Sequence, residues 1–172
     1  MIADFIRTSP LRALLLAAGC TSAAMLCGAW VAQYGFGLHP CELCMAQRYP
    51  YMAILVIAAA ACLIPSPRRQ WHAALLCGAL FLLDAGIAGY HTGVELGVFK
   101  GPSACSGAAL SGQSLEEMRR IIMNAALMPC NQPAAYFLGL SMAAWNSMIA
   151  TLLGVSTWTV LYRLRRHPGL KL

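Results

Sequence analysis

Residues 41–64 read CELCMAQRYPYMAILVIAAAACLI, a Cys-x-x-Cys motif that runs directly into an apolar stretch. The hydrocarbon core of a bilayer is about 30 Å thick, and a helix rises about 1.5 Å per residue. A helix that started at Pro50 would span only about 22 Å and would be too short. The helix is therefore predicted to begin near Cys44. Pro50 then falls in its second turn, where the missing N–H costs a hydrogen bond and bends the helix.

Three further stretches are long and apolar enough to cross the bilayer. Hydrophobic residues make up 59% of the 172-residue chain and charged residues only 10%, whereas soluble domains contain about 25% charged residues. The sequence therefore predicts an all-α integral membrane protein, a single membrane domain built as a four-helix bundle. Its predicted spans are residues 11–34, 44–64, 71–93 and 136–162.

Basic residues flank the predicted spans unevenly, and this asymmetry sets the orientation. The dense basic segments are predicted to be cytoplasmic, so both chain termini lie inside and the loops 35–43 and 94–135 face the periplasm of a bacterial inner membrane. Because the net charge of +6 is scattered and forms no basic stripe, no nucleic-acid partner is predicted. The cytoplasmic basic residues are Arg7, Arg12, Arg68, Arg69, Arg163, Arg165, Arg166 and Lys171.

The sequence pattern of the second periplasmic loop predicts a short amphipathic helix. Ser114 and Glu117 form a capping box, and apolar residues recur on one helical face. The helix is predicted to lie on the membrane surface, and the alternative is a helix packed only on its own loop. The apolar residues of that face are Leu115, Met118, Ile121, Ile122 and Ala125.

The eight cysteines form two groups according to this topology. Thiols in hydrocarbon behave as small apolar groups of low reactivity, so the cysteines within the spans are predicted to be packing residues. Cysteines on the oxidising side of the membrane indicate disulfide chemistry instead. The first group contains Cys20, Cys27, Cys62 and Cys77, and the second contains Cys41, Cys44, Cys105 and Cys130.

The spacing within the second group indicates redox chemistry more than a metal site. Cys41 and Cys44 are close enough to form a strained, reducible disulfide. Cys105 and Cys130 lie far apart in the chain and do not repeat the tight knuckle that is typical of zinc sites, so no metal is predicted. The alternative is a non-enzymatic membrane protein whose exterior cysteines bind metal or staple the loops.

Two residues near the motif are candidates for binding a quinone. Arg48 lies one helical turn beyond Cys44, where its guanidinium could stabilise a thiolate and hydrogen-bond a quinone oxygen. The alternative for Arg48 is a snorkelling anchor. His91 ends the third span on the same side and could donate to a quinone oxygen, although a histidine there is often only interfacial. Asp84, two turns deeper, is predicted to be neutral or paired and receives no role.

The order of these features resembles the DsbB family of disulfide-forming quinone oxidoreductases: a span, C-x-x-C, Gln-Arg-Tyr-Pro, two spans, paired loop cysteines and a final span. The vitamin K epoxide reductase family has a similar four-helix core but places its C-x-x-C after the paired loop cysteines. The segments similar to the family are residues 40–44 PCELC, 47–50 QRYP, 90–95 YHTGVE, 101–105 GPSAC and 137–142 FLGLSM.

The resemblance implies a periplasmic thioredoxin-fold partner similar to DsbA. The thiolate of that partner would attack Cys105 and form a mixed disulfide. Cys130, released by this attack, would then attack Cys41 and leave Cys44 as a thiolate.

The resemblance also implies a quinone cofactor, either ubiquinone or menaquinone, held near Arg48 and His91. Electrons from the Cys44 thiolate would pass to it. One position departs from the family pattern: Asn131 stands where an acidic residue often follows the last cysteine.

Overall fold

The computed structural model describes residues 10–63, 66–102 and 129–166. Within these ranges the chain is helical apart from one small hairpin, which confirms the predicted all-α class. The amphipathic helix predicted around Ser114 lies outside the described residues, as does Cys105. The elements are α1 (Pro10–Trp30) with a π-helical turn (Val31–Gly35) at its end, α2 (Glu42–Ala46), α3 (Arg48–Leu63), α4 (Pro67–Glu95), β1 (Tyr136–Phe137), β2 (Leu140–Ser141) and α5 (Met142–Arg166).

Among the described residues, three helical segments are long and apolar enough to cross a membrane: Pro10–Gly35, Glu42–Leu63 and Pro67–Glu95. The outer surface of the bundle exposes large apolar side chains on every long helix, which water would solvate poorly and lipid solvates well. The fold is thus an all-α membrane bundle. α5 packs along α4 within it, and its own crossing of the bilayer stays a prediction. Exposed apolar residues include Leu16, Val56, Leu83, Leu152 and Val155.

Helices α4 and α5 approach each other closely through glycines. A Cβ atom added to Gly154 would lie 2.7 Å from both Cγ and Cδ2 of Leu82 and 3.3 Å from the carbonyl oxygen of Gly78. On the facing helix, a Cβ on Gly78 would collide with the indole of Trp158. Small residues at such contacts allow backbones in a membrane bundle to pack at short range.

Gly154→Ala is therefore expected to destabilise the bundle by about 1–3 kcal/mol, the usual cost of overpacking a tight contact. The matched control is Gly86→Ala on α4, since Gly86 is exposed and an added Cβ there meets nothing within 4 Å. Unfolding of both variants in detergent micelles measures the difference. Equal stabilities would show that the α4–α5 contact relaxes without cost.

The helix that carries the Cys-x-x-Cys motif starts close to the predicted position but is interrupted at Gln47. α2 begins at Glu42, and a separate helix, α3, begins at Arg48. Pro50 therefore lies in the first turn of α3 and not in the second turn of one continuous helix, which corrects the prediction. The N–H groups of a first turn have no partner within their own helix, so the proline costs little there.

The last helix begins at Met142, later than the predicted start of the fourth span at residue 136. Leu138 (φ 50°) and Gly139 (φ 81°) both adopt left-handed backbone and form the turn of a two-residue hairpin. The hydroxyl of Ser141 accepts a hydrogen bond from the Ala144 N–H at 3.1 Å and so caps the first turn of α5. The hairpin thus occupies the residues that the apolar pattern had assigned to the span.

Candidate active site

The two cysteines of the motif lie side by side at the start of α2. Cys41 is the N-cap residue, and its Sγ accepts a hydrogen bond from the Cys44 N–H at 3.2 Å. The two Sγ atoms are 3.1 Å apart and share a hydrogen bond. Both are free thiols in this structure. One helical turn therefore places the pair in position to form a disulfide.

His91 of α4 contacts this pair from the neighbouring helix. Its side chain is buried, with an exposed fraction of 2%. The ring atom Nε2 lies 3.5 Å from the Cys41 Sγ and 3.7 Å from a carboxylate oxygen of Glu95, and Nδ1 lies 2.9 Å from Nε2 of Gln47. The structure thus brings His91 to the Cys41 sulfur, a contact that sequence reasoning had not identified.

These contacts stabilise the thiolate form of Cys41. The hydrogen bond from the Cys44 thiol lowers the pKa of Cys41 most strongly, burial opposes it, and the hydrogen bonds from His91 and from the Cys44 N–H lower the pKa further. The net result is a pKa well below the ordinary value of 9.0. Of the two thiols, Cys41 is therefore the one stabilised as a thiolate in the reduced pair.

This pKa shift predicts the pH dependence of alkylation. A thiol reacts only after deprotonation, so the reactivity of Cys41 in the reduced protein is expected to rise with pH and to reach its plateau before an ordinary cysteine begins to react. Mass spectrometry of iodoacetamide-treated protein across a pH series measures the midpoint. Cys44→Ala removes the strongest donor and should move that midpoint upward; a midpoint near 9.0 already in the unmodified protein would contradict the geometry.

Cys130 lies beside the pair. It is fully buried and disulfide-bonded. It packs in one buried cluster with Cys41, Leu43 and Val94, and Cys44 borders the same cluster. The structure therefore brings three of the four predicted redox cysteines together.

A cavity of about 390 Å³ opens beside the thiols. Both cysteines of the motif line it, together with Arg48 and His91, and most of the remaining wall is apolar. A mostly apolar cavity with a few convergent polar groups is the usual form of a small-molecule site. Its size and chemistry fit the ring of a quinone, with sulfur at one side and hydrogen-bond donors nearby. Helix α1 contributes small residues to the wall, namely Ala24, Gly28, Ala29 and Ala32.

Arg48 faces this cavity. Its side chain is buried, with an exposed fraction of 9%, and its Nη1 donates to Oε1 of Gln33 at 2.7 Å. Gln33 belongs to the π-helical turn at the end of α1, and such turns recur at functional sites. A snorkelling anchor would extend its guanidinium towards water. The burial of Arg48 therefore favours the binding role over the anchor.

Several polar residues around the site had not been recognised in the sequence. Gln47 is hydrogen-bonded to His91. Asn146 of α5 donates hydrogen bonds to Gln47 at 2.8 Å and to Asp84 at 3.0 Å. Asp84 had been predicted to be neutral or paired, and it has a hydrogen-bond partner in Asn146. The available signal was the presence of polar side chains within apolar helices, which is typical of functional positions in membranes.

The cysteines within the helices separate into two kinds. Cys77 is fully buried and Cys62 is half-buried, and both pack in the core, as predicted. Cys20 and Cys27 are exposed on the outer surface of the bundle, so their interpretation as packing residues was wrong. A small apolar thiol is tolerated there because lipid is as apolar as the protein core.

A metal ion is the other group that these thiols could hold. The ligand atoms of Cys41, Cys44 and His91 all lie within 4.8 Å of one another. A closed zinc site takes four ligands. Cys130, the nearest further cysteine on the described part of the chain, is disulfide-bonded and offers no thiolate in this state.

Comparison with known proteins gives consistent matches. The model of the family described as "Disulfide bond formation protein DsbB" matches residues 11–160. An uncharacterized protein of Rickettsia prowazekii is 26% identical, with 87% of each chain covered. Proteins named disulfide bond formation protein B are 27% identical in Cupriavidus metallidurans (91% of this chain and 96% of the relative) and 31% identical in Aromatoleum aromaticum (90% and 94%). No solved structure matches the chain significantly.

Proposed function

The chain belongs to the DsbB family of disulfide oxidoreductases, and from this premise we propose that it reoxidises a periplasmic DsbA-like dithiol protein and passes the electrons to a membrane quinone. Family membership supports disulfide bond formation itself. The partner, the quinone and the order of the cysteines are the parts that we add.

The first exchange involves Cys105 and Cys130. A thiolate of the partner attacks Cys105 of a Cys105–Cys130 disulfide and releases Cys130 as a thiolate. The second thiolate of the partner then displaces Cys105, so the partner leaves oxidised and the loop pair is reduced. The disulfide at Cys130 supports this step, because it is the oxidised form that the reaction requires.

The second exchange links the loop pair to the motif. The Cys130 thiolate attacks Cys41 of the oxidised Cys41–Cys44 pair and releases Cys44, and Cys105 then reforms the loop disulfide. The burial of Cys130 in the same cluster as Cys41 supports this route. The lowered pKa of Cys41 also makes it a stable thiolate in the reduced pair.

The quinone supplies a two-electron, two-proton acceptor when bound. Arg48 is placed to hold a carbonyl oxygen of the ring, and the two sulfurs are placed at the cavity wall, where the pair is oxidised back to its disulfide. The single observation that carries the proposal is this cavity, in which both sulfurs of the motif and a buried arginine face the same space. Ubiquinone and menaquinone both fit its chemistry.

The same proposal includes the location. We place the chain in a bacterial inner membrane with both termini cytoplasmic and with α5 as a fourth span, so that the redox cysteines face the periplasm. The basic residues Arg163, Arg165 and Arg166 at the end of α5 support this orientation.

The alternative is a non-enzymatic membrane protein with metal-bound or stapled cysteines, and the cluster of Cys41, Cys44 and His91 is the observation that favours it. Thiol counting distinguishes the two. An enzyme cycles between free and bridged cysteines when partner and quinone are added, whereas a stapled or metal-bound set does not change.

Arg48→Lys tests the quinone site. Lysine keeps the charge but loses the planar guanidinium that can hold two acceptors at once. The apparent KM for quinone is expected to rise by roughly ten- to hundredfold, which corresponds to the loss of one charge-assisted hydrogen bond of about 1.5–3 kcal/mol. Arg48→Ala should raise it further. Titration of turnover against quinone concentration measures both.

Arg69→Lys is the matched control, because Arg69 is exposed at the other end of α4. It should leave the quinone KM unchanged. Formation of the mixed disulfide with the partner should also be unaffected in Arg48→Lys. An unchanged quinone KM in both Arg48 variants would return this residue to the role of a structural anchor.

A further inference from the structure

A chain of polar side chains, three of them buried and one half-buried, runs through the bundle to the Cys41 sulfur. Asp84 is completely buried, and its Oδ2 accepts a hydrogen bond from Nδ2 of Asn146 at 3.0 Å. The same Nδ2 donates to Oε1 of Gln47 at 2.8 Å. Nε2 of Gln47 lies 2.9 Å from Nδ1 of His91. Four side chains, from α4, from α5 and from the turn between α2 and α3, are therefore connected in one line.

The direction of these hydrogen bonds is set at the Asp84 end. In this structure Oδ2 of Asp84 accepts a hydrogen bond from Asn146, so Asn146 turns its NH₂ group towards Asp84. Its Oδ1 then points the other way, where it accepts from the Tyr51 hydroxyl at 2.6 Å. The second hydrogen of that NH₂ group reaches Gln47, which must present its oxygen to Asn146 and its own NH₂ group to His91.

This direction determines which ring nitrogen of His91 carries the proton. Nδ1 receives a hydrogen bond from Gln47, so it must be the unprotonated nitrogen of a neutral imidazole. The hydrogen then resides on Nε2. That atom faces the Cys41 Sγ at 3.5 Å and the Glu95 carboxylate at 3.7 Å.

We propose that Asp84 is a positioning residue that, through Asn146 and Gln47, fixes His91 in the tautomer with its proton on Nε2, so that His91 donates a hydrogen bond to the Cys41 sulfur. The inference rests on the proposed redox role of Cys41. Reversing the tautomer would turn a bare nitrogen towards that sulfur. Histidine would then compete for the thiol proton and would no longer stabilise the thiolate.

The burial of Asp84, Gln47 and His91 restricts rearrangement of this chain of hydrogen bonds. Rotating the amide of Gln47 alone would place its oxygen against a lone pair of His91 and its NH₂ group against the NH₂ group of Asn146. Unpaired donors and acceptors are costly where no water can replace the lost bond. Asp84 therefore controls the hydrogen-bond donor Nε2 of His91, at the other end of this chain of hydrogen bonds, without contacting it.

Nitrogen NMR of the reduced protein with ring-¹⁵N-labelled histidine tests the proposal, because protonated and bare ring nitrogens have well-separated chemical shifts. The signals of His91 are those that vanish in His91→Gln. In the unmodified protein we expect a protonated Nε2 and a bare Nδ1. Gln47→Glu offers Nδ1 only acceptors, so the proton is expected on Nδ1.

Asp84→Asn is nearly isosteric and removes the obligatory acceptor, so both hydrogen-bond directions become available. The Nδ1 signal of His91 should move towards the protonated position. Ser22→Ala is the control, because Ser22 is also fully buried in the bundle and lies outside this chain of contacts. Its His91 signals should match those of the unmodified protein.

A protonated Nδ1 in the unmodified protein, or an Asp84→Asn spectrum identical to it, would overturn the proposal. If Gln47→Glu does not fold, the isosteric Asp84→Asn variant decides alone. The measurement needs neither partner nor quinone. A fixed Nε2–H tautomer in a protein that fails to oxidise its partner would therefore count against the proposed function and leave the role of Asp84 standing.

Discussion

Cys41→Ser and Cys44→Ser are each expected to reduce quinone-dependent oxidation of the partner to the uncatalysed background. The two sulfurs lie 3.1 Å apart at the wall of the cavity, and no other pair of cysteines on the described part of the chain shares that wall. Serine cannot form the disulfide, so the two electrons have no path from the loop pair to the quinone. The rate of quinone reduction with a reduced thioredoxin-fold partner measures the loss.

Cys20→Ala is the matched control, because Cys20 is a free cysteine exposed on the outer surface of the bundle. Its turnover should equal that of the unmodified protein. Cys77→Ala should also retain activity, with a small loss of stability because its side chain is fully buried. A comparable loss of turnover from Cys20→Ala would show that the redox path runs through the membrane-embedded cysteines.

Cys130→Ser is expected to stop turnover and to trap the partner. Without Cys130 the loop disulfide cannot form, so no thiolate is released to reduce the Cys41–Cys44 pair and Cys105 is a free thiol. Its thiolate attacks a partner whose attacking cysteine carries thionitrobenzoate in a mixed disulfide, and thionitrobenzoate leaves. A partner that retains only this one cysteine cannot resolve the new bond, and Cys130 is absent, so the mixed disulfide through Cys105 accumulates. Non-reducing electrophoresis followed by mass spectrometry identifies the linked cysteine.

Cys105→Ser is the control for trapping and should give no covalent complex with the same partner. The decisive measurement is which cysteine of this chain forms the disulfide with the partner. A complex joined through Cys41 in the Cys130→Ser protein would reverse the proposed order of the two pairs and make the Cys-x-x-Cys motif the point of contact with the partner.

Features that depend on local composition could be predicted from the sequence. The lengths of the apolar stretches predicted the long helices, and the Cys-x-x-Cys spacing at the start of a helix predicted two adjacent sulfurs. The position of Arg48 four residues after Cys44 likewise predicted that the two lie near each other, and both line one cavity. Each of these follows from helical geometry over a few residues.

The remaining features depend on contacts between distant segments. Gln47 contacts His91 and Asn146 only because α4 and α5 pack against the turn between α2 and α3. The hydrophobic period of a single helix does not encode such packing. The hairpin before α5 was missed because its first turn residue is Leu138, whereas left-handed turn positions are usually filled by glycine, asparagine or aspartate. An apolar leucine at this position instead favours the prediction of a membrane span.

The position of the site within the bundle has an electrical consequence. The dithiol at the start of α2, His91 near the end of α4 and the cavity all lie at one end of the bundle. A dithiol delivers two electrons together with two protons, and a quinone takes up the same number of each. Under the proposed function, donor and acceptor meet on one side, and no net charge would cross the bilayer during turnover. The proposed reaction would therefore be neither driven nor opposed by a membrane potential, which is worth about 2.3 kcal/mol per charge at 100 mV.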